Sequence, residues 1–242
     1  MSKTGDPVNV MIDQLTSQVQ INFREFLLSY VSLQLGGETL SDIDDYARLE
    51  MMVGLNIDIE PIPIEELKQY KTDFPNFLLE IFHSRLVQVW QDCLNAIFCH
   101  YVELHFNGVR PFSELQRKQV QLDFRTGVEL DEQIKTGLIR DFEFTNYAER
   151  QKLVDRLQNP NSEQQPHLLN VHKNVQIRNA IQHRNSIVDS MVLRPLGMQQ
   201  IELLDQRGNP RVLREGNRVD LSIPELDSFR RSLLIVGQTW RH

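Results

Sequence analysis

A stripe of apolar residues between positions 76 and 106 limits most strongly what this chain can fold into. The stripe advances in alternating steps of three and four residues, through Val87, Trp90, Leu94, Ile97, Tyr101 and Leu104. With 3.6 residues per turn, that spacing places all of these side chains on one face of an α-helix. A helix this long with one apolar face needs other helices to cover it, from the same chain or from a second copy. The sequence therefore predicts a helical bundle built around this segment, which Asn107 and Gly108 are expected to end.

Five further helical segments follow from similar patterns. The first is predicted over residues 8–33 and is expected to end at Gly36 and Gly37, and a weaker helical pattern over 112–137 breaks at Gly127. Two more are predicted over residues 147–157 and from Pro166 to His183. The last helix opens with Ser222-Ile223-Pro224-Glu225, where the spacing of Ser and Glu predicts a capping box and Pro suits the first turn.

Short apolar pieces with turn residues between them come before the last helix. Residues 201–203 and 212–213 lie on either side of Gly208-Asn209-Pro210, which predicts a small β-hairpin, and 219–221 form a third piece. The fold class is mainly α. Proline residues separate the first helix from the rest. We therefore expect an N-terminal helical extension over residues 1–73 and a helical domain over residues 74–242.

Charge, cysteines and apolar runs bear on what the protein binds and on the compartment in which it acts. The net charge is −7, yet residues 161–242 carry 11 Lys and Arg against 8 Asp and Glu, whereas residues 1–160 carry 15 against 25. A mildly basic C-terminal third suits phosphate binding, and it also suits an ordinary solvated surface. Cys93 and Cys99 lie six residues apart in one predicted helix, which points their side chains in different directions, so a disulfide between them is not expected. No apolar run is long enough for a membrane span, and we expect a cytoplasmic protein.

The chemistry-bearing residues are concentrated in one segment, Ile177 to His183. Arg178 can hold a phosphate, Asn179 can orient groups through hydrogen bonds, and His183 can move a proton near neutral pH. On a regular helix Arg178 and His183 are rotated by about 140° from each other, whereas Asn179 and His183, four apart, share a face. A site that uses all three residues therefore needs a distorted last turn or a wide cleft. The alternative is a plain helix end, where Arg and His complement the helix dipole.

The stretch from Val171 to His183 resembles the signature helix of the HEPN superfamily (higher eukaryotes and prokaryotes nucleotide-binding domains). In that signature an Arg, usually followed by a polar residue, precedes a His with four to six residues between them. Here Asn179 fills the polar position and four residues intervene. The order of helices agrees over residues 74–240. Many members carry an acidic residue upstream of the Arg, whereas residues 170–174 of this chain contain none.

The resemblance implies a HEPN-like helical bundle and a metal-independent endoribonuclease with no cofactor. Its catalytic residues would be Arg178, Asn179 and His183, with RNA phosphates contacted by Arg184, His172 and Lys173. The site of such enzymes lies between two copies of the chain, which implies a homodimer. The family includes toxins, anti-phage effectors and RNA-processing factors, and toxin members are commonly neutralised by a partner protein, an antitoxin that is often a nucleotidyltransferase.

Two alternatives stay open at this stage. In a helical interaction or scaffold protein, Arg178 and His183 would be paired or dispersed rather than exposed in one basic cleft. In a non-catalytic nucleotide-binding module the cleft would exist but would cleave nothing. Glycine-rich phosphate loops, GxSxG elbows, HExxH motifs and zinc-type cysteine pairs do not occur in the sequence.

Overall fold

The computed structural model describes residues 6–49, 61–73, 75–116, 121–122, 127–158 and 165–241. In chain order the elements are α1 (Pro7–Ser41), β1 (Arg48–Leu49), β2 (Ile62–Pro63), α2 (Ile64–Asp73), α3 (Pro75–Phe106), α4 (Leu130–Phe144), α5 (Tyr147–Gln158), α6 (Gln165–His183), α7 (Ser190–Leu193), β3 (Gln200–Leu204), β4 (Pro210–Arg214) and α8 (Ile223–Thr239). Single 3-10 turns cover Ser113–Leu115 and Arg194–Leu196. The prediction of a mainly helical fold is confirmed.

Helix α3 is the centre of the bundle, as its apolar stripe predicts. It packs against α1, α4, α5, α6 and α8. Trp90, Leu94 and Ile97 are completely buried, and Trp90 Nε1 donates a hydrogen bond to Tyr147 Oη on α5 (2.6 Å). The helix ends where Asn107 and Gly108 predict, with Gly108 in the left-handed conformation (φ +68°). Helices of the same chain therefore cover the stripe, and a second copy is not needed for it.

Helix α1 is longer than the sequence predicts, because it passes through Gly36 and ends at Ser41. The predicted end at the glycine pair is wrong. A glycine lowers helix stability by about 1 kcal/mol but ends a helix only where the backbone turns left-handed, and the structure records no positive φ at Gly36. The buried face of α1 packs on α3 and α8 and includes Val8, Ile12, Leu15, Val19 and Phe26.

Helices α1 and α8 approach closely at Gly237. A Cβ atom at this position would lie 3.4 Å from Leu15 Cδ2 and 3.5 Å from Ile12 Cγ2. The apolar residues of α1 belong to the same buried cluster as those of α3 and α8. The core of the described structure thus draws on both sides of the predicted domain boundary at residue 73.

The segment predicted as a weak helix over 112–137 is only partly helical. A 3-10 turn covers Ser113–Leu115, and α4 begins at Leu130, after the predicted break at Gly127 (φ +63°). Residues 117–120 and 123–126 lie outside the described part of the chain. The two later predictions, 147–157 and Pro166 to His183, are confirmed by α5 and α6.

The predicted hairpin is confirmed and leads into α8. Strands β3 and β4 are antiparallel, with Ile201 opposite Leu213, and both side chains are buried. Residues 219–221 follow without forming a strand. Ser222 caps α8 by accepting a hydrogen bond from the backbone N–H of Glu225 (3.1 Å), as a capping box requires. The Glu225 carboxylate completes no such box, because it turns to β3 and α6 instead.

Both cysteines are free, in agreement with the sequence analysis. Among the described residues, no helix combines the length and the apolar character that crossing a membrane requires.

Candidate site on helix α6

Helix α6 carries the Arg–Asn–His segment, and packing against α3 and α8 fixes its position. Val171, Val175, Ile177 and Ala180 are buried at 1% exposure or less and form its apolar contacts. The helix stays regular up to His183. The rotation of about 140° between Arg178 and His183 is therefore retained, and the two side chains leave α6 on different sides.

Arg178 and Asn179 are in contact. The half-buried Arg178 guanidinium donates from Nη1 to Asn179 Oδ1 (3.3 Å), while its Nε is buried and has no hydrogen-bond partner among the described residues. Burial lowers the pKa of Arg178, although an arginine in a protein remains charged. No described carboxylate pairs with it. The result is a cation oriented by a neighbouring amide and able to accept an anionic partner.

His183 is exposed in the last turn of α6, and a defined turn follows it. Asn185 (φ +52°) and Ser186 (φ +61°) are both left-handed, a conformation that non-glycine residues adopt only rarely. The turn is held by Ser186 N donating to Ala180 O (3.1 Å) and by Val219 N donating to Ser186 O (2.7 Å). These bonds fix the backbone around His183. The backbone position of His183 is therefore defined, although its side chain is in solvent.

Arg184 has a carboxylate partner. Its Nη1 lies 2.5 Å from Asp189 Oδ2, and Asp189 also accepts hydrogen bonds from the first backbone N–H groups of α7. The ion pair joins the end of α6 to the start of α7. A phosphate contact by Arg184 would have to share the guanidinium with Asp189.

The other two predicted substrate residues lie in packed surroundings. Lys173 Nζ is 2.9 Å from Glu225 Oε1 and donates to the backbone oxygen of Glu202 (2.9 Å). His172 is 9% exposed, its ring lies 5.2 Å from that of Tyr147, and burial lowers its pKa. The structure thus brings Arg178 and Asn179 together, leaves His183 exposed on another side, and places Lys173 and His172 in internal contacts.

A buried polar cluster that the sequence analysis did not predict lies upstream of Arg178. We define it as His83 of α3, Asn170, Lys173 and Asn174 of α6, and Glu225 of α8. Asn174 Nδ2 donates to Asn170 O (2.9 Å) and to Glu225 Oε1 (3.4 Å), and Asn174 Oδ1 lies 2.9 Å from His83 Nε2. Glu225, 1% exposed, also accepts from Leu204 N (2.9 Å). The Glu225 carboxylate of α8 thus pairs with Lys173 and Asn174 of α6.

One signal in the sequence pointed to this cluster. Asn170, Asn174, Arg178 and Gln182 follow one another at steps of four, which forms a polar line along a helix that is otherwise packed in the core. Such a line requires polar partners inside the bundle, and His83 of α3 is one of them.

His83 is held neutral by its surroundings. Complete burial lowers its pKa from 6.5 to about 4, against the opposing effects of the hydrogen bond with Asn174 and the charge of Glu225. Because Asn174 Nδ2 is engaged elsewhere, Asn174 Oδ1 is the acceptor and His83 Nε2 carries the proton. His83 therefore suits a structural role rather than proton transfer near neutral pH.

We expect His83 to make stability pH-dependent. The unfolded chain binds a proton at His83 near pH 6.5 and the folded chain only near pH 4, so this contribution is fully present above 6.5 and is lost as the pH falls toward 4. The loss amounts to about 3 kcal/mol. Urea unfolding at several pH values should show a smaller loss over this window for His83→Gln than for the wild type. A His100→Gln control should retain the wild-type slope, and equal slopes for all three proteins would contradict the assignment.

Among the described residues, no group of three or more His, Cys, Asp or Glu side chains is arranged to hold a metal ion. Comparison with protein-family models, with curated proteins and with solved structures finds no match to this chain.

Proposed function

We propose that this protein is a metal-independent endoribonuclease in which Arg178, Asn179 and His183 act on an RNA phosphate. The observation that carries the proposal is the state of Arg178. A half-buried guanidinium that is oriented by Asn179 and lacks a described carboxylate partner suits the binding of a phosphate. The same helix ends in an exposed imidazole, within a chain segment that a defined turn keeps in place.

The reaction needs little beyond these groups, because RNA contains its own nucleophile. A base removes the proton of the 2′-OH, the 2′-oxygen attacks phosphorus, and the P–O5′ bond breaks as an acid protonates the leaving oxygen. The products are a 2′,3′-cyclic phosphate and a 5′-hydroxyl. His183 suits the proton transfers, and Arg178 suits the charge that builds on the phosphorane oxygens.

The geometry favours a site shared by two copies. Arg178 and His183 leave α6 on different sides, and one segment offers one exposed His, whereas the reaction needs a base and an acid. A second copy of α6 facing the first would bring a second His183 to the same phosphate. We therefore include a homodimer in the proposal, acting in the cytoplasm as a toxin or anti-phage effector and restrained by an antitoxin or nucleotidyltransferase partner.

A second candidate is an interaction module without catalysis. The observations that favour it are the ion pairs of Arg184 with Asp189 and of Lys173 with Glu225, which engage two of the basic groups around the segment in internal contacts. In this alternative the segment from Arg178 to Arg184 joins α6 to α7 and does not bind RNA.

The test is cleavage of RNA in excess EDTA. Purified protein should cut single-stranded or structured RNA and leave 2′,3′-cyclic phosphates, and the same RNA with a 2′-deoxy nucleotide at the cut position should stay intact. Cleavage that leaves 3′-hydroxyl ends, or that continues past the 2′-deoxy position, would contradict the proposed reaction. RNA binding without cleavage would favour a non-catalytic nucleotide-binding module. Neither binding nor cleavage would favour the interaction module.

A further inference from the structure

A second feature of interest lies away from Arg178, between helices α3, α4 and α5. A cavity of about 370 Å³ opens there. Its apolar lining includes Phe98, Leu138, Phe142 and Leu153, and Arg150 is among its charged residues. The rings of Phe98 and Phe142 are stacked, with centroids 3.9 Å apart and planes inclined by 7°. The cavity thus combines an apolar lining with a cation.

Arg150 is the unusual residue of this cavity. It is 8% exposed, and its Cζ lies 5.3 Å from the centre of the Phe142 ring. Nη1 donates to the backbone oxygen of Glu143 (3.3 Å), whereas Nε and Nη2 are buried and have no hydrogen-bond partner among the described residues. Nε and Nη2 form one edge of the guanidinium, so it is a whole donor edge that lacks an acceptor.

Such an arrangement is costly unless an anion is bound. Burying a charge without an anionic partner disfavours the folded state, and the unmade hydrogen bonds add to that cost. No described carboxylate lies within ion-pair distance of Arg150, although Glu114 and Glu149 line the same cavity. The two parallel N–H groups match the two oxygens of a carboxylate, the pairing for which arginine is best suited.

The other charges limit the kind of anion. The lining contains three cations, Arg150, Lys152 and Arg156, and three carboxylates, Glu114, Asp141 and Glu149. This balanced lining does not attract a polyanion such as RNA, because the carboxylates repel additional phosphates. The carboxylates repel a single negative charge less than a polyanion, and a body with an apolar face suits the apolar lining.

We propose that this cavity is a binding site for a small organic monocarboxylate. The carboxylate pairs with the Arg150 guanidinium, and the apolar body lies along the apolar lining that includes Leu138 and Leu153. The cavity shares no residue with the Arg178 segment, so carboxylate binding there is independent of RNA cleavage.

The probe pair is benzoate and benzamide, which share a shape and differ in charge. Methyl NMR signals of Leu138 and Leu153 in the wild-type protein should shift saturably with benzoate, with a Kd of about 1 mM or tighter, and should not shift saturably with benzamide. Equal responses to the two compounds, or no saturable response to benzoate, would overturn the proposal. This comparison depends on no variant.

Two variants locate the binding. Arg150→Lys keeps the charge but loses the paired donor edge, and we expect it to weaken benzoate binding at least about tenfold. The matched control is Arg140→Lys, since Arg140 is exposed on α4 and does not line the cavity. Unchanged benzoate affinity in a folded Arg150→Lys protein, or an equal loss in both variants, would also overturn the proposal.

Discussion

Replacing His183 with Ala is expected to lower the rate of RNA cleavage by about 10²–10⁴-fold, the usual contribution of a positioned acid or base. His183 is exposed and its side chain supports no packing, so the same substitution should leave the unfolding transition unchanged. The measurement is the initial rate of cyclic-phosphate formation in EDTA, with circular dichroism to follow folding.

The control for this variant is His100→Ala. His100 lies on α3, outside the candidate site, and removal of its imidazole should leave the cleavage rate at the wild-type value. A His183→Ala protein that cleaves as fast as the wild type would exclude His183 from the reaction. Mixing His183→Ala with an Arg178→Ala protein should restore part of the activity if each site uses groups from two copies.

The largest loss of stability is expected for Glu225→Ala, at about 3–5 kcal/mol. Glu225 is 1% exposed, and its carboxylate accepts from Lys173, Asn174 and the backbone N–H of Leu204. Removing it leaves a mostly buried ammonium and a backbone donor without their partner. Urea unfolding at a pH above 6.5 measures the change in the free energy of unfolding.

A control variant and a double variant test whether the loss of stability comes from the ion pair between Lys173 and Glu225. Glu202→Ala removes a carboxylate from an exposed position on β3, and its effect should stay within about 0.5 kcal/mol. The double variant Lys173→Met, Glu225→Leu should recover much of the lost stability, because it removes the unpaired charge together with its partner. A double variant no more stable than Glu225→Ala would show that the ion pair is not the source of the effect.

The elements of this fold could be predicted from the sequence where periodicity or capping residues decide them. The stripe from Val87 to Leu104 identified the central helix, and Ser222 identified the start of α8. Gly36 misled the prediction, because residue type alone does not reveal whether the backbone turns left-handed. Local patterns define an element, and long-range packing decides whether it continues.

The candidate site could be predicted only in part, for a similar reason. The rotation between Arg178 and His183 follows from helix geometry and is retained. The polar cluster upstream of the segment does not follow, because His83 and Asn174 are 91 positions apart and Asn174 and Glu225 are 51 apart. The sequence pattern assigns Glu225 to the capping box that begins at Ser222. That local role gave no reason to expect a partner for Glu225 on α6. Nothing in the sequence distinguishes Arg150 from the exposed Arg156 of the same helix, because the burial of Arg150 depends on α3 and α4.

The packing of α1 on α8 has a consequence for the order of events during biosynthesis. Ile12 and Leu15 leave the ribosome long before Gly237, against which they pack, has been synthesised. Trp90 packs on Trp240, with ring centres 5.2 Å apart, so Trp90 lacks this contact until Trp240 has been synthesised. Until α8 emerges, these surfaces are open to chaperones and to other nascent chains. Truncation before residue 223 should therefore yield an aggregation-prone chain rather than a smaller stable domain.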